Sequence, residues 1–347
     1  MTARHIVVIG GGPAGVFAAI EAKRRDVGAD VTLISDEPFE PYERPPLSKA
    51  VLLGKARATD APIAGPKGVA GHGVTLMLHT RCAAIDRTTR DVVTASGRRL
   101  PYDALVVATS SLLRQIPVLP LGAPRVHYLR TEARAVALAA ELKAARHLVV
   151  VGGGLIGLEV AASACELGVD VTVLEVASRI LARVCDEETS ARIEAEHRRH
   201  SVDIRLNAVL TDAETGSDGQ LTLKTSAGEF TRADLVVVGA GAMPDDRLAA
   251  AAGLATDNGI VIDEYCRSSD PAIFAAGDVV RFPGPHGRKI GAMPRIRAVL
   301  LAAMPPARTM HIAARPRSGR SNSGSTSRVP DGHHRGRISG CGGRART

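Results

Sequence analysis

Apolar residues in this chain gather in short β-branched runs that end on glycine. Residues 7–18 read VVIGGGPAGVFA and residues 149–160 read VVVGGGLIGLEV, one pattern used twice, 142 residues apart. Each predicts a strand, a tight glycine turn and the start of a helix. GVFAAIEAKRR then continues the first helix and DVTLISDE predicts the next strand; GLEVAASACELG and DVTVLEVASRI repeat that order in the second case. The doubled pattern predicts an α/β chain of two halves built alike.

The glycines fall as G-x-G-x-x-G at Gly10, Gly12 and Gly15 and again at Gly152, Gly154 and Gly157. At this spacing the first glycine permits the turn, the second lets backbone approach a pyrophosphate, and the third lets the helix pack closely on the strand. The free N–H groups and positive dipole end of the helix then face the phosphates. An acid follows each motif, Asp36 and Glu175, at the distance of roughly 20 residues where a ribose 2′-OH is met. Glu175 would repel a 2′-phosphate, so NAD(H) is the expectation for the second site. The bland alternative is that both acids are strand-end charges. Two dinucleotide folds in one chain point to redox chemistry, a nicotinamide delivering a hydride to a flavin.

Length and composition agree with this reading. A chain of 347 residues accommodates two domains, and 45% hydrophobic with 23% charged residues fits a soluble globular protein. No apolar run reaches the roughly 18 residues of a membrane span. The opening MTARHIVVIG lacks the regions of a signal peptide, which makes cytoplasmic residence the expectation. Cys82, Cys165, Cys185, Cys266 and Cys341 form neither a close pair nor a metal spacing, so they read as reduced structural thiols with no metal site. His197 and His200 offer no third ligand and read as a solvated helix. The net charge of +8 comes from residues 291–347, which hold 11 Arg against the single acid Asp331. The rest of the chain is near neutral, so nucleic acid is not an expected partner.

The stretch PYERPPLSKAVLLGK at 41–55 carries a specific resemblance. With YDALVVATSS at 102–111, HYLRTEARA at 127–135, GAGAMPDDRLAAAAGL at 239–254 and GIVIDEYCRSSDPAIFAAGDVVRF at 259–282, the chain resembles the FAD-dependent NADH:ferredoxin reductases coupled to oxygenases, the rubredoxin and putidaredoxin reductase type, over about residues 3–290. The resemblance implies a glutathione-reductase-like fold of two Rossmann-like dinucleotide-binding domains. Residues 1–112 with 242–290 would form the FAD domain and 113–241 an inserted NAD domain. It implies FAD contacts from Gly10, Gly12, Ala14, Gly15, Asp36, Arg44, Lys49, Cys82, Arg130 and Asp278. NAD contacts would come from Gly152, Gly154, Gly157, Glu159 and Glu175. Asp278 would bond the ribityl or pyrophosphate, Asp36 the adenosine ribose, and Cys82 the adenine through its backbone. Lys49 would lie near the flavin and pair with Glu159, which could also meet the nicotinamide carboxamide; these two are the expected catalytic residues. The bland readings are a helix-cap lysine and a solvent-facing glutamate. Residues 36–60 contain no cysteine, so no thiol relay follows the flavin and an iron–sulfur carrier, a ferredoxin or rubredoxin, is the implied electron acceptor.

Two departures from the family stand out. Ser110 occupies a family glycine position, where a side chain crowds a close approach or is strained at positive φ. Residues 291–347 contain no Lys, Glu, Phe, Tyr or Trp. Such a composition does not build a core and predicts a disordered tail in place of the family's third, C-terminal domain. A frameshift after about residue 290 is the favoured reading over an arginine arm that binds nucleic acid, and a nucleotide-binding remnant of impaired activity is the alternative to an active reductase.

Overall fold

The computed structural model describes residues 3–283 and 289–291. His5–Ile9 forms a strand, the glycines turn the chain, and Pro13–Arg25 forms a helix. Lys23, Arg24 and Arg25 occupy the helix's last turn, where cations complement the dipole. Four more strands join His5–Ile9 in a five-stranded sheet whose spatial order is Ile273–Ala275, Ala104–Val107, His5–Ile9, Asp30–Ile34, Thr75–Met77. Every pairing in it is parallel.

The second run builds a counterpart. Its sheet is also five-stranded and parallel, in the order Asp203–Arg205, Asp170–Leu174, His147–Val151, Leu235–Val238, Val126–His127, with the helix Leu155–Glu166 after the glycines. Ala104–Val107 and Leu235–Val238 are buried at every residue, as strands covered on both faces must be. The likeness extends to a feature that the sequence reading does not anticipate. After the edge strand Thr75–Met77 of the first sheet, and after the edge strand Asp203–Arg205 of the second, comes a three-stranded antiparallel meander, Cys82–Asp86, Asp91–Thr94 and Arg99–Pro101 in one case, Leu210–Thr215, Leu221–Thr225 and Phe230–Ala233 in the other.

The two sheets differ in where the fifth strand comes from. Val126–His127 precedes its own glycine loop, whereas Ile273–Ala275 arrives only after the second sheet is complete. The chain passes between the halves through one antiparallel ribbon, Ser111–Leu113 against Ala242–Pro244.

Packing crosses that division. Tyr42, Leu47, Val51, Leu52 and Ala58 come from the loop after the second strand of the first sheet. They are buried in the same apolar cluster as Val150, Val160, Ala161, Ala164 and Val173 of the second half. At about 1.5–3 kcal/mol for each fully buried aliphatic side chain, Leu47, Val51 and Leu52 anchor this loop firmly. Residues 42–58 thus belong to the first half by sequence and to the second by packing. The expected tail, 291–347, lies outside the described residues apart from Gly291, and no helix among the described residues is long and apolar enough to cross a membrane.

Candidate functional site

Both glycine turns have the construction that a phosphate cradle needs. Gly10 holds φ +118°, and a Cβ there would stand 2.1 Å from the Ala108 carbonyl oxygen. Gly152 repeats this at φ +110° with the Gly239 oxygen 2.5 Å away. A Cβ on Gly15 or Gly157 would meet the carbonyl of Gly10 or Gly152 at 1.9 and 2.1 Å, so only glycine lets the helices sit this close. By contrast, nothing lies within 4 Å of a Cβ at Gly12 or Gly154. These two residues are the helix N-caps, and neither cap makes a side-chain hydrogen bond to the first turn. Each helix therefore presents unclaimed N–H groups to open space, the arrangement that binds an anion.

The first cradle opens into a cleft of about 1090 Å³. Gly10, Gly12, Ala14, Asp36, Arg44, Arg130 and Asp278 all line it, the last from the short 3₁₀ turn Gly277–Val279 that follows the edge strand. Gly15 acts from beneath through helix packing. Cys82 and Lys49 lie outside the lining. Cys82 starts a meander strand, donates to the Ala84 carbonyl at 3.6 Å and has its thiol pushed up to about 11 by burial.

The cleft lining is balanced in formal charge, with Arg44, Arg114, Arg130, Arg134 and Arg247 against Asp36, Glu37, Glu43, Asp245 and Asp278, and Arg130 is the cation whose setting bears most on an anion. Burial, together with Arg44, pushes Arg130 below the usual arginine range, with Asp278, Glu37 and Asp245 acting in the opposite sense. Its guanidinium donates to Ser110 Oγ at 2.9 Å, and no carboxylate forms an ion pair with it among the described residues. Arg44 is committed elsewhere. It ion-pairs with Glu37, donates to the Arg130 carbonyl at 3.0 Å, and lies over the Tyr42 ring at 4.7 Å. Ser110 does adopt the left-handed region, φ +64°, so the strain foreseen for a non-glycine residue is present, and its hydroxyl serves Arg130.

Tyr42 is the junction that the sequence reading passes over. Its hydroxyl donates to Glu37 and accepts from Arg44 Nη1 at 2.8 Å and from the Glu132 backbone N–H at 2.9 Å. Burial first, and the hydrogen bond to Glu37 second, drive the phenol well above the usual tyrosine range. The cleft arginines are thereby tied to the first turn of the helix Glu132–Leu142.

The second cradle places Glu175 against the glycine loop itself. Its carboxylate accepts from the Gly153 N–H at 2.6 Å and from the Ala177 N–H at 2.8 Å. The two acids foreseen as equivalent occupy different positions. Gly10 N–H bonds the Ile34 carbonyl and Gly152 N–H bonds the Leu174 carbonyl, so the counterpart of Glu175 is Ser35. Asp36 stands one residue further out, exposed in the cleft.

Lys49 and Glu159 meet. Lys49 Nζ lies 2.6 Å from Glu159 Oε1, joining the PPLSK turn of the first half to the glycine-loop helix of the second. Ser48, which had no assigned role, donates to Glu159 Oε2. The open caps, the close helix packing and an Arg130 with no carboxylate partner among the described residues fit a dinucleotide in the first cleft, where Gly12, Ala14, Arg130 and Asp278 would hold it. Gly154 and Glu175 fit one at the second cradle.

Known proteins extend this. The family described as pyridine nucleotide-disulphide oxidoreductase matches residues 4–304. Putidaredoxin reductase CamA of Pseudomonas putida is 39% identical over 300 residues, 85% of this chain and 70% of that protein. Rhodocoxin reductase of Rhodococcus erythropolis is 38% identical over 280 residues, 81% of this chain and 66% of that protein. The chain thus spans about two thirds of the length of these relatives. Among solved structures, the covalent putidaredoxin reductase–putidaredoxin complex superposes with a TM-score of 0.80 at 38% identity, covering 86% of this chain and 73% of that one. Fold, cradles and sequence agree, and the chain belongs to the pyridine nucleotide-disulphide oxidoreductase family.

Proposed function

We propose that the protein is a cytoplasmic FAD flavoprotein that oxidises NADH and passes the electrons to a ferredoxin- or rubredoxin-type carrier serving an oxygenase or cytochrome P450. On this reading, residues 1–112 with 242–290 hold FAD and 113–241 hold NADH. The carrying observation is the Lys49–Glu159 bridge. It joins the loop that packs between the halves to the helix of the second cradle, so the residues flanking both cradles are mechanically coupled.

Held in the first cleft, FAD would supply the capacity to take a hydride from nicotinamide and to release electrons singly. The chain's residues supply binding and orientation. Gly12 and Gly154 expose helix N–H groups to the two pyrophosphates, and Arg130 adds a cation in a half-buried setting where its attraction for phosphate is strengthened. Asp36 and Glu175 present carboxylates to the two riboses. Glu159, anchored by Lys49 and Ser48, offers a fixed acceptor to the nicotinamide carboxamide. The family description includes disulphide chemistry, but residues 36–60 contain no cysteine, which supports an external one-electron acceptor.

Purified protein is expected to be yellow, to bleach on adding NADH without oxygen, and to reduce cytochrome c only when a ferredoxin or rubredoxin is supplied. A colourless protein that retains NADH affinity would overturn this reading.

A further inference from the structure

We propose that Ser48 is a positioning residue that sets the orientation of the Glu159 carboxylate and, through it, of Lys49. The inference rests on the function proposed above for the meaning of the pair, and on geometry for the role of the serine. Lys49 and Glu159 have side chains 49% and 34% exposed. An ion pair of two long, solvated side chains contributes little to its own geometry, because water competes for both charges and several rotamers satisfy the attraction equally. Something else must choose one arrangement.

Ser48 meets that requirement. It is 4% exposed; its hydroxyl lies 3.5 Å from the Pro45 carbonyl, but its shorter bond is the one it donates to Glu159 Oε2, while Lys49 holds Oε1. A carboxylate bonded through both oxygens has its plane fixed, whereas one bonded through a single oxygen swings about that bond. The serine backbone is itself clamped. Ser163, buried and one helical turn beyond Glu159, donates from Oγ to the Ser48 carbonyl at 2.7 Å. Glu159 and Ser163 thus grip the side chain and the carbonyl of one residue from one face of the helix Leu155–Glu166. Further along the same helix Glu166 pairs with Lys55. Leu47 on one side of Ser48, and Val51 and Leu52 on the other, are rooted in the second core beside Val160 and Ala164. Ser48 therefore has a fixed frame from which to direct Glu159.

The test compares Ser48→Ala and Ser48→Thr in the full chain with glutamate δ-carbons labelled with carbon-13. Glu159 is assigned by the resonance that Glu159→Gln removes. In the absence of NADH, Ser48→Ala is expected to move the Glu159 resonance towards that of solvated glutamates, and Ser48→Thr, which keeps the hydroxyl, to leave it in place. In stopped-flow, Ser48→Ala is expected to reduce flavin roughly tenfold more slowly, the scale on which lost orientation acts. Its rate should also become salt-dependent, because an unsupported pair is screened. An unmoved Glu159 resonance in Ser48→Ala, with or without a fall in Tm, overturns the proposal, as does an equal displacement in both variants. The resonance is read without nicotinamide or carrier. A protein that never bleaches with NADH therefore fails the functional reading while leaving this result to stand separately.

Discussion

Lys49 Nζ and Glu159 Oε1 lie 2.6 Å apart although 110 positions separate them in the chain. The contact bridges the two halves at the loop whose apolar residues are shared between them. Replacing Lys49 by Ala removes the cation while leaving Glu159 bonded to Ser48. The expected outcome is flavin reduction slowed by about 10²-fold, the magnitude typical of losing one preorganised electrostatic group, with a much smaller change in NADH affinity. Stopped-flow rates against NADH concentration separate the two; equal losses in rate and affinity would remove the catalytic role.

Glu175 accepts hydrogen bonds from Gly153 and Ala177, which pins its charge beside the second cradle. Glu175→Ala is expected to narrow the preference for NADH over NADPH by about tenfold, since a fixed carboxylate repels a 2′-phosphate and loses a ribose hydroxyl when removed. The ratio of kcat/KM values for the two nucleotides measures this, and an unchanged ratio counts against the assignment.

The Tyr42 hydroxyl serves Glu37, Arg44 and the Glu132 backbone together. Tyr42→Phe keeps the ring in the core but strands a buried N–H and releases Arg44. A loss of about 2 kcal/mol is expected, from the desolvation cost of the unpaired donors. Urea unfolding reads it, and a change below a few tenths of a kcal/mol would show that water replaces the hydroxyl freely.

Burial raises the Cys82 thiol from an ordinary 9 to about 11. A group whose folded value is raised stabilises the fold fully below its unfolded value. Between pH 9 and pH 11 the folded state retains a proton that the unfolded state has lost, so stability falls as pH rises through that window. The contribution is at most about 2 kcal/mol, because the residue is only partly buried. Unfolding midpoints at about pH 8 and about pH 10.5 should therefore diverge more in the parent protein than in Cys82→Ala.

What could be read from the residues alone follows the range of the physics involved. The glycine turns were legible because Gly10 and Gly152 need positive φ and Gly15 and Gly157 need the missing Cβ, all within one strand–turn–helix unit. The meanders are only partly legible: Asp91–Thr94, Leu221–Thr225 and Phe230–Ala233 alternate between more and less buried positions, but Cys82–Asp86 and Leu210–Thr215 do not. Asp36 and Glu175 looked alike at a spacing of about 20 residues, yet hydrogen bonds from the glycine loops set them one position apart. Lys49 and Glu159 came only from resemblance, since no local pattern links residues so distant. Tyr42 and Ser48 lie within the 41–55 stretch, but their roles are not legible there because their partners, Glu132 and Glu159, are reached only when the halves fold together.

The shared packing of residues 42–58 also bears on how such proteins can be recombined. A graft that exchanges the inserted half at the ribbon Ser111–Leu113 and Ala242–Pro244 leaves Leu47, Val51 and Leu52 facing foreign neighbours. A viable hybrid must transplant that loop along with its host core, so the natural unit of exchange is discontinuous in the chain and contiguous only in space.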